Sequence, residues 1–174
     1  MGVGKDNYKH DGTTRSFTAA FAEVEVDTET GKYTVTDFLS IGDVGTVIHP
    51  NALGGQILGR SVLGIAHAIG HRWVYDQRYG VPLAKRFYNN SPPTILDLPV
   101  NMTWDAVGLP DPETPVGARG IGEPPVASAC TSVLNAIADA VGDEVFTRSP
   151  VLLDHIVAAL DTKKPGQVPL TTNV

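Results

Sequence analysis

The stretch Gly117-Ala118-Arg119-Gly120-Ile121-Gly122-Glu123-Pro124-Pro125 constrains this chain more than any other. Glycines at 117, 120 and 122 let the backbone turn tightly and lie close against another body, because no Cβ intervenes. A carboxylate follows. Two prolines then supply the φ of a first helical turn and remove N–H groups that such a turn would leave unpaired. The spacing predicts a helix from about Pro125, with Val126, Cys130, Val133, Ile137 and Val141 as its buried stripe and Gly142 as its stop. Glu123 is thereby expected at a helix mouth, on a loop built for close contact. An acidic residue is favoured there by the helix dipole alone, so the pattern by itself gives it no task.

With 174 residues, one domain with a real core is expected. Charged residues make up 18% of the chain and the formal charge is −6, with no run of Lys or Arg, which argues against a nucleic-acid partner. One cysteine excludes an internal disulfide and any cysteine-held cluster made by this chain alone, and Cys130 falls on an apolar stripe, as a small core residue would. No apolar run reaches the ~18 residues that span a bilayer, and Met1 to Asp6 does not resemble a signal peptide. The expectation is a cytoplasmic chain without membrane contact.

Residues 1–16 are polar and read as an N-terminal arm. Phe17, Ala19 and Phe21 alternate on one side, then Ala22, Val24 and Val26 on the other, which predicts a strand with a bulge near Ala20. Thr28 to Gly31 is a turn, and Lys32 to Ser40 alternates again, so the two form a hairpin. A glycine-punctuated loop leads to Asn51, a candidate cap for a helix over about 52–76 with Leu58, Val62, Ile65, Ile69 and Trp73 at helical intervals. That helix carries Gly54, Gly55, Gly59, Gly64 and Gly70, each costing about 1 kcal/mol against Ala, a load that makes sense only where something packs very close. His67 and His71 are spaced like a zinc pair but lack a third ligand and the neighbouring Glu of a metalloprotease, and read as packing or surface residues.

Residues 77–116 are rich in Pro, leaving room for a short strand around Val100 to Trp104. Ser149-Pro150 reads as a cap and first position of a short helix carrying Leu153, Ile156, Val157 and Leu160, and residues 161–174 read as a C-terminal tail. The fold class is therefore α+β, a mixed sheet and hairpin with packed helices.

The glycine loop with Glu123-Pro124-Pro125 and its small-residue helix resembles the active-site loop of the molybdopterin-binding subunit of the xanthine dehydrogenase and aldehyde oxidoreductase family. The likeness runs in order through Phe17 to Asp27, Thr30-Gly31, Asp43-Val44-Gly45, Ile48-His49-Pro50 and Gly55-Gln56-Ile57-Leu58-Gly59. It covers residues 17–160 and resembles the C-terminal part of that subunit's cofactor-binding domain.

The resemblance implies hydroxylation of an aldehyde or an aromatic N-heterocycle with water as the oxygen source. It implies a molybdenum–pterin cofactor (molybdopterin, alone or as a dinucleotide) shared with a partner chain, and no protein side chain as a metal ligand. Glu123 matches the family's base acting on the molybdenum-bound hydroxide, Gln56 its pterin-binding glutamine, and Gly122 belongs to the cofactor-facing loop. Because the family's subunit is several times longer, the remaining part of that subunit is an implied partner, together with an iron–sulfur subunit and a flavin subunit carrying FAD. Two other readings stay open: a non-catalytic assembly or cofactor-insertion subunit of the same fold, and an anion-binding protein using the helix N-terminus. A carboxylate at that mouth disfavours both.

Overall fold

The computed structural model describes residues 1–4, 11–142 and 148–162. The expected arm and tail lie partly outside the described residues, at 5–10 and 163–174.

Strands β1 (Phe17–Val26) and β2 (Tyr33–Asp43) form the predicted antiparallel hairpin, and β3 (Asn101–Val107) adds parallel to β2, giving the order β1-β2-β3. The connecting turn is held by Asp27, whose carboxylate accepts from the Glu29 N–H at 2.9 Å and the Thr30 hydroxyl at 2.8 Å. Gly31 closes it at φ +71°, where a Cβ would meet the Leu153 carbonyl at 2.4 Å. The sheet is α+β and mixed, as the sequence predicts.

The bulge is not at Ala20. β1 alternates without interruption, and Phe17 and Phe21 stay on its outer face at 62% and 61% exposure. The extra residue is Thr36 in β2, since Glu23 pairs with Asp37 and Val24 with Val35. Two residues opposing one shift the phase of the strand, so Val35 and Phe38, three apart, both face the core.

Helix α1 (Pro50–Ile69) begins two residues earlier than a cap at Asn51 allows. His49 is the cap: its Nδ1 accepts the Ala52 N–H at 3.1 Å, and Pro50 takes the first helical position, where its missing N–H costs nothing. The helix stops at Gly70, so Trp73 lies beyond it at 79% exposure, and the buried face is Leu53, Ile57, Ser61, Ile65 and Ala68 rather than the stripe from Leu58 to Trp73. Helix α2 (Pro124–Val141) buries Val133 and Ile137 as expected, but Pro125 and Ala129 are buried in place of Val126 and Cys130, and Val141 is half-buried. Cys130 is half-buried, with its thiol pushed up by burial and eased down by Ser149, which suits an inert packing residue. Helix α3 (Leu153–Thr162) starts three residues after Pro150. Instead of capping it, Ser149 donates to the His67 carbonyl and Val151 donates to the Ala68 carbonyl, so this segment closes the C-terminal end of α1.

Helices α1 and α2 pack against the sheet, and α3 joins the core through Ile156. The main core joins Val35 and Phe38 of β2 to Ile65 and Ala68 of α1, Val133 and Ile137 of α2 and Ile156 of α3. A smaller cluster of Val44, Leu53 and Ile57, flanked by Trp104 and Ile121, underlies the other end of α1. Two of the four glycines within α1 are explained by close packing within the chain. A Cβ at Gly54 would lie 2.5 Å from the Trp104 ring, and one at Gly64 would lie 2.3 Å from the Val126 carbonyl. Gly55, Gly59 and Gly70 have nothing within 4 Å of that position.

Gly64→Ala is expected to lower stability by about 1–3 kcal/mol through overpacking, whereas Gly59→Ala is expected to raise it by up to about 1 kcal/mol through helix propensity. Urea unfolding of the two variants checks the pair; equal effects would contradict the α1–α2 contact at Gly64.

Candidate active site at the mouths of two helices

Contacts advance together along α1 and α2: Gln56 meets Gly122 and Gly64 meets Val126 and Ala129, so both helix N-termini lie at the same end. At that end the loop 117–123 crosses in front of the sheet.

The loop is fixed at several points. Gly117 adopts φ +72°, and a Cβ there would meet the Thr46 hydroxyl at 2.7 Å and Pro110 at 2.9 Å, so glycine is required on two counts. Its carbonyl accepts from both Thr46 N–H at 2.8 Å and Asp111 N–H at 2.9 Å. Arg119 donates its backbone N–H to the Val44 carbonyl at 2.7 Å. Its side chain bridges two carboxylates, with Nε 2.6 Å from Asp111 and an Nη 2.5 Å from Asp43. Beyond it, alternate carbonyls are each caught by a side chain from elsewhere: Gly120 by Ser16, Gly122 by Gln56 at 3.3 Å, and Pro124 by Thr18 at 3.0 Å.

Glu123 is the N-cap residue of α2, yet its side chain makes no capping bond. The reason is in the sequence. A cap carboxylate normally accepts from the second or third helical N–H; here the second position is Pro125, which has none, and the third, Val126, donates to Glu123's own carbonyl at 2.9 Å. The carboxylate is exposed and has no hydrogen-bond or ion-pair partner among the described residues. Gln56 spends one N–H on Gly122 and keeps a second N–H and its Oε1 available.

Around these groups the surface is bare. Cβ atoms built at Gly55, Gly59, Gly120 and Gly122 would meet nothing within 4 Å, and φ is not positive at any of the four. The protein's own packing therefore does not require glycine there. Glycines without an internal reason are what close approach by an outside body would ask for.

The structure thus brings Gln56, Gly122 and Glu123 together, although Gln56 and Gly122 are 66 residues apart. The histidines do not join them: His71 lies past the end of α1, edge-on to His67 with ring centroids 5.5 Å apart. Burial, and then His67, lowers the His71 pKa. Among the described residues no three His, Cys, Asp or Glu converge as a metal-ligating group, and no helix is long and apolar enough to cross a membrane. Sequence reading missed Asp43, Asp111, Ser16 and Thr18. Asp43 stood within a quoted landmark, but nothing local links it to an arginine 76 residues away.

Comparison with known proteins gives this geometry a context. The family described as molybdopterin cofactor-binding domain matches residues 3–99. The gamma subunit of the 6-hydroxypseudooxynicotine dehydrogenase complex of Paenarthrobacter nicotinovorans is 29% identical over 150 residues, covering 86% of this chain and 19% of the relative. Quinoline 2-oxidoreductase from Pseudomonas putida superposes with a TM-score of 0.73 at 30% identity, over 80% of this chain and 18% of that one. Aldehyde oxidoreductase from Desulfovibrio gigas superposes with a TM-score of 0.71 at 30% identity, over 81% of this chain and 15% of that one. The chain spans less than a fifth of the length of these relatives.

The Glu113 N–H, and then Arg119, hold the Asp111 carboxyl below its ordinary range. A depressed carboxylate stabilises the fold above its unfolded value of 3.8, and that contribution is lost as pH falls through the lower folded value. Thermal midpoints measured from about pH 5 down to about pH 2 are expected to fall less in Asp111→Asn than in the parent; an identical fall would remove Asp111 as a source of acid sensitivity.

Proposed function

The chain belongs to the molybdopterin cofactor-binding family of the xanthine dehydrogenase and aldehyde oxidoreductase enzymes, and on that premise we propose that it is part of a molybdenum hydroxylase. The substrate class is an aldehyde or an aromatic N-heterocycle, and water is the oxygen source. The observation that carries this reading is the Glu123 carboxylate, left without a partner at an open helix mouth beside Gln56.

The residues present fit a molybdenum–pterin group. A fused polar ring system needs both donors and acceptors, and the Gln56 amide offers one N–H and one oxygen after its bond to Gly122. It also needs room at close range, which Gly55, Gly59, Gly120 and Gly122 leave. When bound, the group supplies the two-electron oxidation. This chain then contributes three things. Gln56 orients the ring system and holds the loop carbonyl of Gly122. The loop presents its backbone without side-chain obstruction. Glu123 accepts the proton that water must lose as its oxygen is transferred, at a carboxylate without a partner among the described residues. A positioned general base of this kind contributes roughly 10²–10⁴-fold in rate.

The site is open because this chain makes only part of it. The remaining part of the molybdopterin-binding subunit is proposed to close the pocket, with iron–sulfur clusters and FAD on other subunits carrying electrons away. The name of the Paenarthrobacter relative, a complex subunit, supports a multi-chain assembly. In the proposed assembly the partner's share of the pocket covers the Glu123 carboxylate.

In the purified complex, Glu123→Gln is expected to lower turnover by about 10²–10⁴-fold while molybdenum content stays that of the parent. Steady-state rates normalised to molybdenum decide it, and near-parental turnover at full occupancy would overturn the base assignment. Gln56→Ala is expected to lower the molybdenum and pterin retained through gel filtration; unchanged retention would remove Gln56 from the cofactor contact. A native mass equal to that of this chain alone, without molybdenum, would instead favour a non-catalytic relative.

A further inference from the structure

We infer that Arg119 is the positioning residue of this site: its guanidinium, clamped between Asp43 and Asp111, sets where the Glu123 carboxylate stands. The inference rests on Glu123 as the proton acceptor and assigns the device that holds it there.

Glu123 cannot be fixed by its own helix, because Pro125 and the Val126 N–H offer its side chain no donor. Its position is inherited from the loop before it. That loop has one strong anchor, four residues upstream of the carboxylate. Arg119 is largely buried, Asp111 is 5% exposed, and the two contacts of 2.6 and 2.5 Å run to carboxylates from separate elements, the end of β2 and the loop after β3. The backbone N–H of the same residue bonds to Val44, next to Asp43. A single residue therefore ties the loop to the sheet through main chain and side chain together.

Charge makes the clamp stiff. Asp43 and Asp111 both contact one guanidinium, so without it two carboxylates would face each other in a partly buried place and repel. Asp111, in turn, is locked by the Glu113 N–H at 2.8 Å and by the Gly117 carbonyl, which accepts its backbone N–H. The planar guanidinium presents its N–H groups to the two carboxylates in fixed directions, which the freely rotating ammonium of a lysine does not hold. The weaker bonds beyond Arg119, from Ser16, Gln56 and Thr18 to the carbonyls of Gly120, Gly122 and Pro124, then trim a loop whose base is already set.

The test is Arg119→Lys in the holo complex, which keeps the charge and removes the fork, read by amide hydrogen exchange and by kinetics on the same preparation. Exchange at Thr46, Asp111 and Val126, whose N–H groups are bonded to or within the loop, is expected to rise about tenfold or more while the core amides of α1 and α2 hold their parental rates. Turnover per molybdenum is expected to fall about 10- to 100-fold, as displacement of a reacting group does, with KM within about twofold of the parent. Parental exchange in the loop would overturn the inference, as would faster exchange throughout the chain with parental turnover per molybdenum, which is the result of a merely structural role. The exchange readout does not depend on the reaction. Failure of Glu123 as the base would therefore appear as active Glu123→Gln enzyme, while the Arg119 clamp would still be decided by the loop amides.

Discussion

Gly64 lets the backbone of α2 approach α1 so closely that a methyl group at that position would overlap the Val126 carbonyl. Everything at the candidate site follows from that approach. It sets both helix N-termini at one end of the molecule and puts Gln56 of α1 within hydrogen-bonding reach of the residue that precedes Glu123. The sheet contributes by capping the opposite side: Val35 and Phe38 fill the space beneath the helices only because the extra residue at Thr36 turns both of them inward. Packing at the centre thus fixes geometry at the edge.

At that edge Pro125 does something that its helix-starting role does not suggest. It lacks the N–H that a cap carboxylate would use, and the next donor, the Val126 N–H, goes to the Glu123 carbonyl, so the carboxylate is left without the partner such a position normally provides. The carboxylate remains free to hold a proton, and the helix still starts. Placement then has to come from the loop, where the two ion pairs of Arg119 lie immediately before Glu123 and not on it. Rigid at Arg119, bare at Gly120 and Gly122, and free at Glu123, the segment has the order of properties that a surface receiving a large flat ligand needs.

Much of this was legible in the residues. The hairpin, the helix after Pro124-Pro125 and the grouping of Gln56, Gly122 and Glu123 follow from local patterns and from an ordered set of motifs. Three features were not. The phase of the hairpin differs from the expectation because Phe17 and Phe21 look like core residues, although among the described residues both stay exposed. Helix α1 was drawn too long because His71 and Trp73 continue its periodicity past Gly70, where the backbone leaves the helix, and its cap was missed because histidine is an uncommon acceptor in that place. The Arg119 clamp joins residues 8 and 76 positions away, and no local rule connects such distances. The glycine load of the α1 segment signals close approach, and Gly54 and Gly64 are matched by neighbours while Gly55, Gly59 and Gly70 are not. Gly55 and Gly59 remain for the proposed ligand.

The most direct test of the account is anomalous diffraction at the molybdenum edge from crystals of the complete complex. The account predicts one molybdenum peak beside the Glu123 carboxylate, with pterin density lying over Gly55, Gly59 and Gly122 and within hydrogen-bonding distance of the Gln56 amide. A molybdenum peak remote from Glu123, or a Glu123 carboxylate paired with a basic side chain of a partner subunit, would contradict it.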